Sequence, residues 1–186
     1  MLIPLRLSSQ SDEQLMQRAS HGSDRAFEEL YNRYARRLQG FFVRRLGDDA
    51  DLAADFMHDT FLRLYAVREN YREGRNFRAW LYTIAYNLCR NHHRNLLTMV
   101  SDEGVDITDE TSIDVELDMR DLHEALREVL RKLPEPYAML FSLHYEEELT
   151  IPQIAQITNL PEGTVKSRLH KTMNIIKQNL KQYEHH

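Results

Sequence analysis

The sequence predicts an all-α protein made of two small helical domains joined by an acidic linker. Glycine and proline are scarce, with 6 and 5 residues among 186, which favours helices. Apolar residues recur at three- and four-residue spacing in most of the chain, as they do along one face of a helix. Between residues 101 and 121, nine acids accompany a single base, Arg120. We therefore expect domains at residues 11–97 and 122–182, with a flexible linker at residues 98–121.

Four helices are predicted in the first domain. Ser11 and Gln14 have the spacing of a helix cap, so a short first helix should begin there. The second helix should cover residues 24–46, and we interpret its aromatic stripe as core. The third should cover residues 51–67. Its buried side should consist of Leu52, Phe56, Phe61, Leu64 and Tyr65. A polar loop then leads to the fourth helix, at residues 77–97.

The fourth helix should present two different faces. The inward face is apolar and contains Phe77, Trp80, Leu81, Ile84 and Leu88. The opposite face combines rings with bases, namely Tyr82, Tyr86, Arg90 and His93, with Arg94 alongside. Such a surface suits single-stranded nucleic acid, because rings stack on bases and cations attract phosphates. The same pattern would arise if the tyrosines only covered a neighbouring helix, with their hydroxyls in water, and the sequence leaves both interpretations open.

Helices continue through the second domain. An amphipathic helix should begin near Leu122 and be interrupted by Pro134 and Pro136, and a further helix should cover residues 137–145. The segment 150–171 then has the features of a helix-turn-helix. A capping pair starts a short helix, an Asn-Leu pair turns the chain, and a proline starts the second helix.

The second helix of this motif has a basic outer face. Its inward positions are Val165, Leu169, Met173 and Ile176. Its outward positions are Thr164, Lys166, Ser167, Arg168, His170 and Lys171. Residues 163–183 contain five lysines or arginines and no acid, and such a face suits the major groove of DNA, where basic side chains reach guanine edges. The alternative is an ordinary helical hairpin with a solvated surface.

The charge distribution limits how this protein could bind DNA. The net charge of −5 argues against a protein that grips DNA unaided. Residues 101–121 carry −8, however, so the rest of the chain sums to +3. The negative charge is therefore concentrated in the predicted linker, and the parts on either side of it are neutral to basic.

No catalytic, cofactor or metal site is expected. The chain lacks a phosphate-binding glycine loop, a GxSxG motif and paired metal-ligand motifs. His58 lies between Asp55 and Asp59, but no other histidine or cysteine is placed to complete a ligand set. The single cysteine, Cys89, suits a reducing cytoplasm, and no stretch is long enough to span a membrane. We therefore expect a cytoplasmic protein with no membrane insertion.

Four segments, in this order, resemble the extracytoplasmic-function sigma factors of bacterial RNA polymerase: DRAFEELYNRYARRL, DFMHDTFLRLY, NFRAWLYTIAYNLCRN and LPEGTVKSRLHK. The resemblance extends over residues 13–180. It implies that the first domain is sigma region 2, which recognises and melts the −10 element, and that the second is region 4, which reads the −35 element. It also implies three partners: core RNA polymerase, through its β′ clamp and β flap; promoter DNA; and an anti-sigma factor.

The resemblance also assigns roles to residues. It implies core polymerase binding by Asp55, His58, Asp59, Phe61, Leu62 and Arg63. It implies binding of the −10 element by Asn70, Arg75, Asn76, Arg78, Tyr82, Tyr86, Arg90, His93 and Arg94. It implies binding of the −35 element by Thr164, Lys166, Ser167, Arg168, His170 and Lys171. Tyr86 departs from the family pattern, in which a smaller or basic residue is frequent, so the preferred −10 base does not follow.

A competing class is the stand-alone helix-turn-helix transcriptional regulator, whose amino-terminal helices would form a dimerisation domain. That class explains the helix-turn-helix but leaves the aromatic-basic face of the fourth helix and the acidic linker without a purpose. A nucleic-acid enzyme would need a catalytic set that the sequence lacks. The first two classes differ in whether core polymerase is required to bind and open a promoter.

Overall fold

The computed structural model describes residues 7–99 and 122–181, and these ranges contain α-helices and no strand. The chain divides into two compact units, Met1–Leu96 and Leu97–His186. The predicted all-α class is confirmed. The predicted acidic linker lies almost entirely outside the described residues.

The described ranges contain eight α-helices. The first four are α1 (Asp12–Ser20), α2 (Asp24–Arg45), α3 (Ala50–Ala66) and α4 (Phe77–Met99). The next four are α5 (Leu122–Lys132), α6 (Glu135–Phe141), α7 (Ile151–Thr158) and α8 (Glu162–Leu180). Single 3-10 turns occur at Leu7–Ser9 and Arg68–Asn70, and a π-helical turn follows α6 at Ser142–Glu146.

Side-chain caps set where the first helices begin. The predicted capping box of α1 is present: Ser11 N–H donates to Gln14 Oε1 at 3.0 Å, and Gln14 N–H donates to Ser11 Oγ at 3.2 Å. The α3 helix begins one residue earlier than predicted, because Asp49 Oδ1 accepts the N–H of Leu52 at 2.9 Å. The turn before it has positive φ at both Gly47 (72°) and Asp48 (64°).

The aromatic stripe of α2 forms the core of the first unit, as predicted. Its rings meet α3 through the pairs Tyr31–Phe61 (4.7 Å between centroids) and Phe42–Phe56 (5.5 Å). They meet α4 through the pairs Tyr34–Phe77 (5.3 Å) and Phe41–Tyr82 (5.5 Å). Aromatic pairs of this kind stabilise a core beyond the apolar area they bury, so α2 is the helix on which both α3 and α4 are assembled.

The expectation that Tyr65 is buried was wrong, since 37% of its surface is exposed. Tyr65 lies in the last turn of α3, where it contacts the beginning of α2. Its ring contacts Phe27 at 5.0 Å, and its hydroxyl donates to Asp24 at 3.1 Å. The guanidinium of Arg68 lies 3.8 Å from the centroid of the same ring. Tyr65 is therefore held by a ring contact, a hydrogen bond and a cation while it remains partly exposed.

Arg33 on α2 holds the amino-terminal segment against the bundle. Its guanidinium forms ion pairs with Asp12 and Glu29, both at 2.9 Å. It also donates to the carbonyl oxygens of Leu7, Ser8 and Gln10. Burial alone would lower the pKa of Arg33, but the bonds to the two carboxylates outweigh it and raise the pKa.

Tyr34, the next residue on α2, donates its hydroxyl to the same Asp12 carboxylate. Burial, followed by this hydrogen bond, raises the pKa of Tyr34 well above its ordinary value. Asp12 therefore accepts from two adjacent residues of α2, and this pair of bonds determines how α1 lies against that helix.

The second unit is built around α8. One cluster joins α5, α6 and α8, and consists of Val129, Leu133, Tyr137, Ala138, Phe141, Ile175 and Ile176. The α7 helix packs against α8, and Ile154, Ile157 and Val165 are buried there. The capping box of Thr150 and Gln153 is present as predicted.

In the second unit, the start of α6 differs from the prediction, and the predicted turn between α7 and α8 has a defined backbone conformation. The α6 helix begins at Glu135, earlier than predicted, because Pro134 lies at its N-cap and Pro136 in its donor-poor first turn, where proline is tolerated. Between α7 and α8, Asn159 adopts the left-handed conformation with φ of 57°. Asparagine tolerates this conformation better than most residues, and it ends α7 so that the chain can turn into α8.

We expect Arg33→Lys to lower the free energy of unfolding of the full chain by about 1–3 kcal/mol, because lysine keeps the charge but cannot reach two carboxylates and three carbonyls at once. Urea titration followed by circular dichroism measures this change. Arg36→Lys changes an exposed arginine of the same helix and is the matched control. Equal transition midpoints for the two variants would contradict this role of Arg33.

Candidate functional site

The outer face of α8 is arranged as its spacing predicts. Val165 and Leu169 are buried against the rest of the second unit. Three of the predicted nucleic-acid contacts are exposed, namely Lys166, Ser167 and His170. The other three are half-buried, namely Thr164, Arg168 and Lys171. The basic and hydroxyl-bearing side chains thus lie together on one surface of the second unit.

This surface contains a groove of about 530 Å³, lined by Tyr137, Ser167, Arg168, His170, Lys171 and Asn174. The guanidinium carbon of Arg168 lies 5.6 Å from the centroid of the Tyr137 ring on α6. Arginine over a ring is held in place while its N–H groups stay available at the edge, where they can donate to a base or a phosphate. The groove is therefore suited to anionic or base-edge ligands.

Two lining residues were missed by sequence reasoning. Asn174 lies three positions beyond Lys171 on the same face, so continuing the helical spacing by one turn would have found it. Its amide nitrogen lies 3.4 Å from Nδ1 of His170. Tyr137 lies on α6, and no sequence pattern within α8 predicts its contact with Arg168.

The loop before α4 is folded onto a buried tryptophan. Trp80 and Tyr71 are both buried, and their rings stack with centroids 5.5 Å apart and an interplanar angle of 29°. The Arg75 guanidinium carbon lies 4.6 Å from the centroid of the Trp80 ring. Asn76 caps α4, since its Oδ1 accepts the N–H of Ala79 at 2.8 Å. The loop residues predicted to bind nucleic acid therefore have defined positions.

The prediction that Tyr82 lies on an exposed face was wrong, because its side chain is 0% exposed and packs on Phe41. The reason is that α4 meets two neighbours. It contacts α2 through Tyr82 and α3 through His92, which lies edge-on to Phe56 at 5.5 Å. The buried face of α4 is consequently wide, and the interpretation of this ring as helix packing is correct.

The remaining α4 and loop positions predicted to bind nucleic acid do lie at the surface, to different degrees. The exposed ones are Asn70, Asn76, Arg90 and Arg94. The half-buried ones are Arg75, Arg78, Tyr86 and His93. Burial, and then the neighbouring His92, lower the pKa of His93. His93 is therefore neutral near pH 7 and supplies no cation for a phosphate.

The polar face of α3 is a candidate surface for a protein partner. Asp55, His58 and Arg63 are exposed, and Arg63 pairs with Asp59 one turn earlier at 3.0 Å. Leu62 stands among them with 70% of its surface exposed. A large apolar side chain within a polar rim is typical of a docking surface.

Phe61 does not belong to this exposed face, although it was predicted to contact the polymerase. It is 4% exposed, and its ring packs against Phe27 and Tyr31 of α2. The physical reason is its position on the helix: Phe61 shares the inward side of α3 with Met57 and Leu64, four residues before it and three after it. A partner at the α3 surface cannot reach this ring.

Within the described part of the chain, no group of three or more histidine, cysteine, aspartate or glutamate side chains could hold a metal ion. Among the described helices, none combines the length and the apolar composition that crossing a membrane requires.

Two family models match the chain in succession: Sigma-70 region 2 over residues 30–96 and Sigma-70 region 4 over residues 123–174. The RNA polymerase sigma-H factor of Pseudomonas aeruginosa is 29% identical over 182 residues, which cover 91% of this chain and 94% of that protein. The ECF RNA polymerase sigma factor SigW of Bacillus subtilis is 28% identical, with coverage of 86% and 91%. The similarity thus extends over both units.

Solved structures share the fold. The sigma factor RpoE from Bartonella quintana, in complex with the anti-sigma factor NepR, has a TM-score of 0.65 and 24% identity, covering 83% of this chain and 96% of that one. CnrH, in complex with the cytosolic domain of CnrY, has a TM-score of 0.67 and 21% identity, covering 92% and 97%. The helical architecture described above is therefore shared with these proteins.

We expect His93 to make the protein less stable in mild acid. Because the folded-state pKa is lowered, the unfolded chain takes up the proton first, and stability that is present above about pH 6.5 is lost as the pH falls. His93→Gln should therefore show a smaller loss of unfolding free energy than the parent between about pH 7 and about pH 5.5, measured by urea titration. An identical loss in both proteins would show that His93 does not contribute to acid sensitivity.

Proposed function

Since this chain belongs to the extracytoplasmic-function sigma factors of bacterial RNA polymerase, we propose that it binds core polymerase and directs it to specific promoters. The observation that carries this proposal is the presence, in one chain and in this order, of region 2 and region 4. A stand-alone helix-turn-helix regulator needs only the second of these. The family consists of transcription initiation factors, and we propose no catalytic activity for the chain.

The second unit is proposed to read the −35 element as duplex DNA. The first turns of α8 would enter the major groove, where helix-turn-helix proteins contact base edges. The contacts would come from Thr164, Lys166, Ser167, Arg168, His170 and Lys171. Because Arg168 is held against Tyr137, we assign it and Ser167 to bases, and we assign Lys166 and Lys171, whose ammonium groups are compact point charges, to phosphates.

The first unit is proposed to bind the −10 element after melting. The contacts would come from Asn70, Arg75, Asn76, Arg78, Tyr86, Arg90, His93 and Arg94. Tyr82 leaves this set because it is buried, and His93 stays as a neutral hydrogen-bonding group rather than as a cation. Stacking of an exposed base, worth ~1–3 kcal/mol, offsets part of the stacking lost when the duplex opens.

Docking on the β′ clamp is proposed for the polar face of α3. The contacts would come from Asp55, His58, Asp59, Leu62 and Arg63, with Phe61 supporting the helix from within. Leu62 would supply the apolar centre and the charged residues the rim, an arrangement common to stable interfaces. Region 4 would meet the β flap, so that the polymerase holds both DNA-binding units.

The polymerase is proposed to supply most of the DNA affinity. With a net charge of −5, the free chain should bind promoter DNA weakly. Once both units are held on one enzyme, the second contact becomes intramolecular, and its effective concentration makes two weak sites act as one strong site. The acidic linker at residues 98–121, between domains at residues 11–97 and 122–182, would discourage DNA binding away from the enzyme.

Two further assignments complete the proposal. The similar structure of RpoE was solved with an anti-sigma factor, and we propose that an anti-sigma factor also holds the present chain inactive. Because its proposed partner is the transcription enzyme, we place the protein in the cytoplasm.

The proposed function is tested by asking whether core polymerase makes the chain initiate from promoters. The full chain with core enzyme should yield defined transcripts from a library of genomic fragments, and either component alone should not. We expect Leu62→Asp to reduce co-purification with core enzyme about tenfold or more, because burial of a leucine side chain in the proposed interface is worth ~1.5–3 kcal/mol. Leu122→Asp changes an exposed leucine at the start of α5 and is the matched control. Tight, selective promoter binding without core enzyme would favour the stand-alone regulator instead.

Arg168 and Lys166 should affect −35 recognition differently. Arg168→Ala should cost ~1–3 kcal/mol at one position of the element, whereas Lys166→Ala should weaken all sequences similarly and reduce the salt slope by about one. Selection of bound templates by the assembled enzyme from random upstream sequences measures the first effect, and salt titration measures the second. If Arg168→Ala selects the same consensus as the parent, Arg168 does not read bases.

A further inference from the structure

The loop that leads into α4 brings three side chains together. Tyr71 stacks on Trp80, and the Arg75 guanidinium lies over the same indole ring at 4.6 Å. Both rings are buried, while Arg75 is half-buried and so reaches the surface. Burial lowers the pKa of Arg75, but an arginine remains charged throughout the physiological range. A planar cation therefore lies over the buried indole and reaches the surface.

Several bonds fix the backbone that carries Arg75. The Tyr71 hydroxyl donates to the Arg75 carbonyl at 2.6 Å, and the Arg75 N–H donates to the Arg72 carbonyl at 3.1 Å. Gly74 allows this tight turn with its positive φ of 82°. Burial, more than any neighbouring charge, raises the pKa of Tyr71 to about 12, so the hydroxyl keeps its proton and the hydrogen bond persists at neutral pH.

The start of α4 is fixed from the other side. The N–H of Phe77 donates to Oε1 of Glu13 on α1 at 3.3 Å, and Asn76 caps the same turn. The loop is thus held by Tyr71 at its beginning and by α1 at its end. A loop ordered before its ligand arrives does not lose that conformational freedom again on binding.

We propose that Tyr71 and Trp80 are positioning residues that hold the Arg75 guanidinium plane ready to stack on an unpaired base of the melted −10 strand. This inference rests on the proposed function, and it gives Arg75 the stacking role that sequence spacing had assigned to the buried Tyr82. Guanidinium planes stack on bases as aromatic rings do, and arginine adds attraction for the neighbouring phosphate. A lysine at this position would keep the charge but present no plane.

Stacking and backbone attraction can be separated with DNA that lacks bases. The full chain, assembled with core polymerase, is titrated with a labelled random-sequence single strand of roughly twelve nucleotides, and with a strand of equal length made of abasic residues. We expect the parent to prefer the base-bearing strand about tenfold. Arg75→Lys should lose most of this preference while its affinity for the abasic strand changes less than about twofold.

Further variants test the positioning roles. Tyr71→Ala should lose the preference as Arg75→Lys does, and Tyr71→Phe, which keeps the stacked ring but not the hydrogen bond to the Arg75 carbonyl, should restore part of it. Arg72→Lys changes an exposed arginine of the same loop and should behave as the parent. Because Trp80 is the only tryptophan, emission of the free chain also reports the stack, and it should change in Arg75→Lys before any DNA is added.

Two results would overturn the inference: an Arg75→Lys variant with the parent's preference for bases, or equal weakening of both strands, which is what simple loss of charge or of structure produces. Either result can occur while the parent still initiates transcription with core enzyme, and then the proposed function stands. A parent that does not initiate with core enzyme overturns the proposed function itself.

Discussion

Packing of α4 against both α2 and α3 is the constraint on which the first unit depends. The rings of α2 engage α4 at Phe77 and Tyr82, and Phe56 of α3 engages it again at His92. A helix with two neighbours buries a wide arc, so fewer of its side chains remain for a ligand. The surface available to DNA is thereby limited to the loop, where Arg75 emerges beside Trp80, and to the positions of α4 that neither neighbour covers, among them Arg90 and Arg94.

In the second unit too, packing determines which side of a helix remains available to a ligand. Its α8 helix is buried along one side by α5, α6 and α7, and its other side carries the basic and hydroxyl-bearing residues together. Tyr137 from α6 then orders Arg168 within that surface. In both units an arginine proposed to contact DNA lies over an aromatic ring of the core. Each is held at low entropic cost because the ring is already fixed by packing.

In the proposed mechanism, the charge distribution of this chain explains why it would need the polymerase in order to bind DNA well. The chain is acidic overall, but residues 101–121 alone carry −8, and the bases proposed to contact DNA lie on either side of that segment. Self-sufficient DNA binding would need a net positive field, whereas a protein held on polymerase needs only two local ones. The exposed Leu62 on α3 supplies an apolar centre, which a stable protein contact needs in addition to charge.

The sequence by itself determined the helices, both capping boxes, the aromatic core of α2 and the inward and outward sides of α8, because these depend on spacing within one helix. Tertiary structure alone decided that Tyr82 and Phe61 are buried and that Tyr65 is partly exposed. It also decided that Tyr137 lies against Arg168 of another helix and that Tyr71 supports Arg75 in the loop before α4. Helical periodicity locates the centre of a buried face. Its width is set by how many neighbours the helix has, and those neighbours come from remote parts of the chain.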